Sequence, residues 1–331
     1  MKIFFKMSFA CVIVVGLIGF VATLNAGPET REKLRADTNA AVEKTKEVAK
    51  DVAAASNGDI WVGRTCCSDS RLNRLRGTSW TTYTQQLNGS VYLNDVTAIG
   101  EDGSGNIWIG DNGGAVRFDG TTWRRYTTAD GLIDNQVRQI VRDSRGRLWF
   151  LAGFGNTGGL SVFDGATWHS FDHTDGLPQV MDLGPIFADS SGRIWASVSG
   201  PLFAERNVGM FDGSEWHYFG SPETGGALYG RPSAFAENSA GAVWMPINGG
   251  AIASTAIYQD GTWSRGPGVG ATYSSLLFDA HDNLWYGSPD LSVRWGGIDH
   301  RFIDGAQLGT LAKIIREILE NPASLEAAAT A

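Results

Sequence analysis

The chain alternates short apolar runs with turns rich in Gly and Asp over most of its length. In one stretch VTAIGED, NIWIG, AVRF and TWRRY follow one another, and each run is short and either apolar or alternating. This pattern predicts four strands joined by tight turns. The Asp119-Gly120 pair between the last two runs predicts a two-residue type I′ hairpin, in which both central residues have positive φ.

The four-strand unit recurs along the chain with a period of about 40 to 50 residues, which is the range of propeller blades. One Trp lies in the second strand, namely Trp61, Trp108, Trp149, Trp195, Trp244 and Trp285, and it ends a Gly-x-x-Trp pattern except in the last unit, where Asp282 replaces the Gly. A second Trp opens the fourth strand, namely Trp80, Trp123, Trp168, Trp216 and Trp263. In the last unit, VRWGGIDH places Trp295 at the usual Phe position and His300 at the usual Trp position.

We therefore predict an all-β fold, a six-bladed β-propeller of four-stranded blades. Because the Trp positions repeat, we expect these side chains to form the core of the blades rather than a ligand site. The six units lie at about 48–83, 95–126, 137–171, 181–219, 233–263 and 273–303. The opening strand of the first unit is ambiguous, since residues 48–54 also fit the end of a helix.

Composition agrees with this fold and argues against one class of function, nucleic-acid binding. The chain has 43 Gly and 12 Trp in 331 residues, as short strands and tight turns require. Its formal net charge is −8. Because phosphate binding needs a basic stripe, we expect no nucleic-acid partner.

The two ends of the chain lack the repeat. Residues 1–26 combine Lys2 and Lys6 with a long apolar run, which predicts either a cleaved signal peptide or an anchor in the inner membrane. Residues 27–51 alternate acidic and basic residues and predict a charged helical tether, followed by the propeller at 52–305. Residues 306–331 predict a short amphipathic helix and a tail. The adjacent Cys66 and Cys67 are open to two interpretations, small apolar strand-end residues or a vicinal disulfide.

The string VTAIGEDGSGNIWIG…GAVRFDGTTWRRYTTADGL, repeated as VRQIVRDSRGRLWF…GLSVFDGATWHSFDHTDGL, resembles the two-component regulator propeller repeat. The resemblance covers most of residues 57–305 and is looser in the first, fifth and sixth units. It implies a periplasmic sensor-type propeller whose relatives sense extracytoplasmic ligands, often carbohydrates, and signal through a membrane helix to a kinase. Because we recognise no kinase, receiver or DNA-binding pattern after the repeats, we expect a sensor-like propeller without its own output domain.

Long loops on one face of the propeller are the expected binding rim. They comprise the connections between second and third strands and those that lead into the next blade. The side chains there that are suited to stacking or hydrogen bonding are Phe154, Asn156, His173, Arg206, Tyr229, Arg231 and Asn248. The repeated Asp-Gly-Leu at Asp130 and Asp175 is expected to be a structural turn.

No constellation of residues predicts catalysis, a cofactor or a metal. The His residues lack metal-ligand spacing. The repeated acids Asp102, Asp143, Asp189 and Asp279 each stand six residues before a Trp, where we expect them to cap a turn. We predict an extracytoplasmic ligand-binding or sensor-like propeller that binds a small molecule, a glycan or an envelope protein. Two alternatives are a metal-dependent propeller lyase or lactonase resembling streptogramin lyase, and a scaffold for an envelope protein complex.

Overall fold

The computed structural model describes twelve segments of the chain. These are residues 49–64, 71–77, 79–84, 86–88, 91–177, 182–199, 206–248, 254–266, 275–278, 282, 284–287 and 293–295. The predicted signal or anchor segment, the C-terminal helix, Cys66, Cys67 and Asp279 lie outside them, as does all of the tether except its last three residues. The described residues form two compact units, which divide between Arg125 and Tyr126.

The first unit contains blades 1 and 2, each a four-stranded antiparallel sheet in which neighbouring strands pair in sequence order. Blade 1 consists of β1 (Ala49–Ala54), β2 (Ile60–Arg64), β3 (Arg71–Arg76) and β4 (Ser79–Tyr83). A separate two-stranded ladder follows, made of β5 (Gln86–Asn88) and β6 (Val91–Tyr92). Blade 2 consists of β7 (Ala98–Glu101), β8 (Ile107–Asp111), β9 (Gly114–Phe118) and β10 (Trp123–Tyr126).

The second unit continues the same pattern through four more sheets. Blade 3 consists of β11 (Val137–Arg142), β12 (Leu148–Ala152), β13 (Gly159–Phe163) and β14 (Trp168–Phe171). Blade 4 consists of β15 (Asp182–Ala188), β16 (Ile194–Ser199), β17 (Arg206–Phe211) and β18 (Trp216–Gly220).

Blade 5 has its first strand split into β19 (Arg231–Pro232) and β20 (Ala236–Glu237), followed by β21 (Val243–Asn248), β22 (Ser254–Gln259) and β23 (Thr262–Arg265). Both pieces of the first strand pair with β21. Pro232 has no N–H to donate, which fits the interruption of the strand at this residue. The described part of blade 6 consists of β24 (Ser275–Phe278), β25 (Leu284–Gly287) and β26 (Val293–Trp295). The predicted all-β propeller of four-stranded blades is thus confirmed.

The opening strand of blade 1 settles the ambiguity in the sequence. β1 begins at Ala49 and pairs with β2 from Ala54↔Ile60 to Ala49↔Arg64. Residues 49–51, which we assigned to the end of the tether, therefore belong to the sheet.

The second-strand residues Trp61, Trp108, Trp149 and Trp195 are buried in the core, as predicted, and rings among them pack against the next blade. In the first unit, Trp61 stacks on Tyr83 at 5.6 Å and meets Phe118 of blade 2 edge-on at 5.8 Å. In the second unit, Trp149 lies 5.8 Å from Phe211 of blade 4, and Trp195 lies 4.9 Å from Tyr258 of blade 5. Aromatic rings at these distances attract each other and stabilise the fold beyond the free energy gained by burying their surface.

The hairpin loop between the third and fourth strands differs from the predicted two-residue type I′ turn. Gly120, Gly165 and Gly213 have φ of 98°, 103° and 107°, as expected. The preceding Asp residues, however, do not have positive φ, so these are not two-residue type I′ turns. Instead each loop closes over four residues, and the Asp carboxylate accepts hydrogen bonds from the amides two and three residues later in the chain. In blade 3, for example, Asp164 Oδ1 accepts from Ala166 N at 2.8 Å and from Thr167 N at 2.7 Å. The shorter loop of blade 5 does place both Asp260 and Gly261 at positive φ.

Candidate ligand-binding rim

The connection between the second and third strands of blade 3 is a dense loop rich in glycine. Gly153 has φ of 72° and donates from its amide to Gln136 O at 2.9 Å. A Cβ on Gly153 would lie 2.8 Å from Gly158 Cα and 3.0 Å from Asp134 Cβ. Only glycine fits here, and the close approach fixes the loop against the segment that leads into blade 3.

Phe154 lies at the tip of this loop with 55% of its surface exposed. It precedes a single 3₁₀ turn, Gly155–Thr157, whose Thr157 hydroxyl donates to Phe154 O at 3.2 Å. The guanidinium of Arg138, in β11, lies 4.2 Å from the centre of the Phe154 ring. An exposed ring that lies over a cation is suited to stacking a ligand.

Arg138 also connects blade 3 to the first strand of blade 4. Its Nη2 donates to Leu183 O at 2.5 Å. The neighbouring Gln139 holds the same strand with its side-chain amide, which donates to Ile186 O and accepts from Ile186 N, each at 2.8 Å. The ring of Phe154 is therefore anchored through Arg138 to β15.

Arg231 of blade 5 contacts both β15 and the neighbouring strand β16 of blade 4. Its Nε donates to the buried Ser197 Oγ at 2.9 Å. A Cβ on Gly184 would lie only 2.5 Å from Arg231 Nη2, so glycine at this position lets the guanidinium pass. Leu183 and Gly184 are adjacent, and Arg138 and Arg231 therefore flank the start of β15. We call Phe154, Arg138, Leu183, Gly184 and Arg231 the rim cluster.

The other predicted site residues are more dispersed. Tyr229 is half-buried, and its ring lies 5.4 Å from the guanidinium of Arg265. His173 is exposed and begins the 3₁₀ turn His173–Asp175. Asn248 ends β21 opposite Arg231, Arg206 begins β17 opposite Gly220, and Asn156 lies in the turn after Phe154. The side chains of these last three lie outside the described residues.

Sequence reasoning missed Arg138, Gly184 and Ser197. Arg138 and Ser197 lie inside strands, whereas the predicted binding residues were all assigned to rim loops. Gly184-Pro185 did leave a signal, because glycine inside a strand often marks a close approach of another group, and the register of β15 shifts between Leu183 and Ile186.

Of the repeated acids, the three that the structure describes, Asp102, Asp143 and Asp189, are confirmed as turn caps, and each has a further partner. Asp143 Oδ1 accepts from Arg145 N and Arg147 N, while Oδ2 accepts from Arg147 Nε at 2.7 Å and from Trp149 Nε1 at 3.0 Å. Burial alone would raise the pKa of the Asp143 carboxyl, but the hydrogen bonds from Trp149 and Arg147 outweigh burial and hold that pKa below its ordinary value.

The same carboxylate–indole bond joins Asp102 to Trp108 at 2.9 Å and Asp189 to Trp195 at 2.8 Å. The pKa of Asp102 is likewise lowered, because bonds from Trp108 and Asn106 outweigh burial. The carboxylates of Asp102, Asp143 and Asp189 are therefore hydrogen-bonded within their own blades.

Within the described part of the chain, one group of side chains has metal-ligand geometry, formed by Asp212, Glu215 and His217. All three lie on the outer hairpin of blade 4 rather than on a first strand. Asp212 Oδ2 lies 2.8 Å from His217 Nε2, and Asp212 Oδ1 accepts from Ser214 N and Glu215 N. These bonds, led by the one to His217, lower the pKa of Asp212.

Among the described residues, no helix is long and apolar enough to cross a membrane. The predicted anchor lies outside that part of the chain, so membrane attachment stays a prediction.

Comparison with known proteins supports the fold and the repeat. Residues 131–153 match the family described as "Two component regulator propeller". No curated protein matches the sequence.

Several solved structures resemble the chain at low sequence identity. PorZ, a surface component of the type-IX secretion system of Porphyromonas gingivalis, has a TM-score of 0.58 at 17% identity over 78% of this chain and 41% of its own. The extracellular domain of a putative one-component system from B. thetaiotaomicron has the same TM-score and identity over 78% of this chain and 36% of its own. Virginiamycin B lyase from Staphylococcus aureus has a TM-score of 0.55 at 16% identity over 73% of this chain and 78% of its own.

The chain thus spans less than half the length of the first two of these proteins. At such identities the similarity establishes the fold alone. The protein is a β-propeller that carries a two-component regulator propeller repeat at residues 131–153, as the resemblance in its sequence indicated.

Proposed function

We propose that this protein is an extracytoplasmic, sensor-like binding propeller without catalytic activity, and that its rim cluster binds a carbohydrate. The observation that carries the proposal is the Phe154 ring, which is more than half exposed and rests on the Arg138 guanidinium. A large exposed aromatic ring fixed by a glycine-rich loop has no role in the core of the blade. It presents an aromatic face on which a ligand can stack.

Carbohydrate fits this chemistry better than an apolar ligand does. The C–H face of a sugar ring can stack on Phe154, while guanidinium groups such as those of Arg138 and Arg231 donate hydrogen bonds to ring hydroxyls. Extracytoplasmic location is supported by the predicted signal or anchor segment and by the fold shared with extracellular domains.

A thermal-shift screen of the full chain against neutral and acidic oligosaccharides tests the proposal. We expect at least one to raise the melting temperature with increasing concentration, and Phe154→Ala to weaken its binding by about 10-fold or more. Tyr92→Ala is the matched control, because Tyr92 is also an exposed aromatic, at 46%, but lies in the first unit. Equal binding by wild type and Phe154→Ala, or no binding by any oligosaccharide, would contradict the proposal.

The metal-dependent lyase remains a distinct alternative with its own test. It requires acids and His converging from the first strands on an ion, whereas Asp102, Asp143 and Asp189 are engaged by Trp indoles and turn amides. Copurification of a stoichiometric divalent metal, together with an activity that chelation abolishes, would favour the lyase over a binding protein.

A further inference from the structure

A cleft lies at the end of blade 3 opposite to Phe154. Arg147 precedes the first residue of β12, whereas Phe154 follows its last. The hairpin at residues 164–167 lies at the same end as Arg147, because Leu148 pairs with Phe163 and Phe163 pairs with Trp168. The cleft encloses about 250 Å³ and is lined by Arg147, Val162, Asp164, Thr167, His169, Phe171, Phe211 and Gly213.

The base of the cleft is apolar and aromatic. Phe171 and Phe211 lie 5.2 Å apart, and both pack in the core between blades 3 and 4 with the buried Val162. His169 meets Phe171 edge-on at 4.5 Å and forms part of the wall. This floor can accept an aliphatic or aromatic side chain.

Two charged side chains of opposite sign, Arg147 and Asp164, line the cleft. Nε of Arg147 donates to Asp143 in an ion pair. No described residue accepts a hydrogen bond from the two terminal nitrogens of Arg147, so they can donate to a ligand. Asp164 has no ion-pair partner among the described residues. Hydrogen bonds from Thr167 and Ala166 lower the pKa of its carboxyl, so Asp164 is ionised at neutral pH.

We infer that this cleft binds a free α-amino acid with an apolar side chain. The carboxylate meets Arg147, the ammonium group meets Asp164, and the side chain lies on Phe171 and Phe211. A guanidinium whose terminal nitrogens can still donate and a separate carboxylate match the two charges of a zwitterion, and a guanidinium–carboxylate contact is strong and directional. The volume suits a molecule of about ten heavy atoms rather than an oligomer.

Calorimetric titration of the full chain with L-leucine tests this inference. We expect a Kd on the order of 0.1–1 mM, as ligand efficiency suggests for so small a molecule. N-acetyl-L-leucine lacks the ammonium charge, isoamylamine lacks the carboxylate, and glycine lacks the side chain. Each of these should bind at least about 10-fold more weakly than L-leucine.

The repeat supplies matched variants that keep the fold. In blade 2 the position of Arg147 is occupied by Asn106, whose amide satisfies Asp102 at 3.0 and 2.8 Å. Arg147→Asn therefore removes the charge while leaving Asp143 a partner, and Arg193→Asn makes the same change in blade 4, outside the cleft. Asp164→Asn keeps an oxygen for the turn amides, and Asp119→Asn is its control in blade 2.

We expect Arg147→Asn and Asp164→Asn each to weaken L-leucine binding at least about 10-fold, with the two control variants unchanged. Absence of heat up to about 10 mM ligand, equal losses in the controls, or isoamylamine binding as tightly as L-leucine would overturn the inference. Phe154→Ala should not alter L-leucine binding, so failure here is distinct from failure of the rim proposal.

Discussion

The phenol of Tyr218 donates a 2.6 Å hydrogen bond to the carbonyl oxygen of Gly176, and this bond ties the outer strand of blade 4 to the turn that leads into that blade. Three other blades have an equivalent bond from the side chain two residues after the outer-strand Trp. These bonds join Arg125 to Tyr92 O, Ser170 to Gly131 O and Arg265 to Gly226 O. The chemistry of the donor varies, but its position does not, so the contact is a conserved feature of the repeat within this chain.

Removing the Tyr218 hydroxyl should loosen this connection. Tyr218→Phe keeps the ring and deletes the donor, so we expect a loss of about 0.5–1.5 kcal/mol in the free energy of unfolding, measured with urea. Amide exchange in residues 172–177 should also speed up. Tyr92→Phe, at an exposed phenol, should change stability by less than about 0.5 kcal/mol; equal effects of the two changes would show that the Tyr218 bond contributes nothing.

Loss of the hydrogen bond between Asp143 and Trp149 should destabilise the core of blade 3. Asp143→Asn is isosteric, but it cannot accept from Trp149 Nε1 while also accepting from Arg147 and the turn amides. Blade 5 shows the consequence, because Asn238 occupies the equivalent position and Trp244 Nε1 has no partner there. We expect Asp143→Asn to cost about 1–3 kcal/mol of unfolding free energy, measured in urea.

Asp164→Asn makes the same change at an exposed turn and should cost clearly less. If both variants unfold at the same urea concentration, the carboxylate–indole bond is not a determinant of stability.

The lowered pKa values of Asp102 and Asp143 should also determine how the stability of the fold depends on acidic pH. The carboxyls of Asp102 and Asp143 have folded-state pKa values below their ordinary ones, so their contribution is complete above about pH 4 and is lost as the pH falls through the folded values. We expect the melting temperature of the wild type to drop steeply below about pH 4. Asp143→Asn should flatten that drop, and identical acid profiles of the two proteins would contradict the linkage.

The hairpin glycines separate structural residues from rim residues. A Cβ on Gly165 would meet no atom within 4 Å, so the cost of Gly165→Val arises from its φ of 103°. We expect a loss of about 1–3 kcal/mol, because a β-branched residue is forced into a sparsely allowed region. His173→Ala, at an exposed loop residue, should stay within about 0.5 kcal/mol in the same denaturant measurement. A neutral Gly165→Val with a destabilising His173→Ala would refute both assignments.

The periodic part of the fold was predictable because each Trp, Asp and Gly recurs at a fixed place in the blade. The Asp-Gly-Leu turns followed from the same logic, and the structure adds their mechanism. In the turn Thr128–Asp130 the side chains of Thr127 and Asp130 cap each other's backbone amides, and Gly131 takes the left-handed conformation with φ of 115°.

Contacts between blades were not predictable, since they join residues distant in sequence. Ser190 donates from its amide and hydroxyl to the two carboxylate oxygens of Glu237, each at 2.7 Å. Ser56 and Glu101 form the same clamp between blades 1 and 2. Nothing in the local pattern of either residue indicates its partner.

The rim was only partly predictable for the same reason. Phe154 and Arg231 stood out as loop residues with suitable chemistry, but their relation depends on Arg138 and on the backbone of Leu183 and Gly184. Strand residues that reach across blades leave no periodic signal in the sequence.

Amide hydrogen exchange of the full chain, with and without the oligosaccharide that gives the largest thermal shift, tests the central claim most directly. We expect protection confined to the loop at residues 153–158 and the start of β15 at residues 182–184, because the ligand covers Phe154 and the groups that Arg138 and Arg231 contact. Protection that instead falls on the outer hairpins, with the 153–158 loop unchanged, would contradict it.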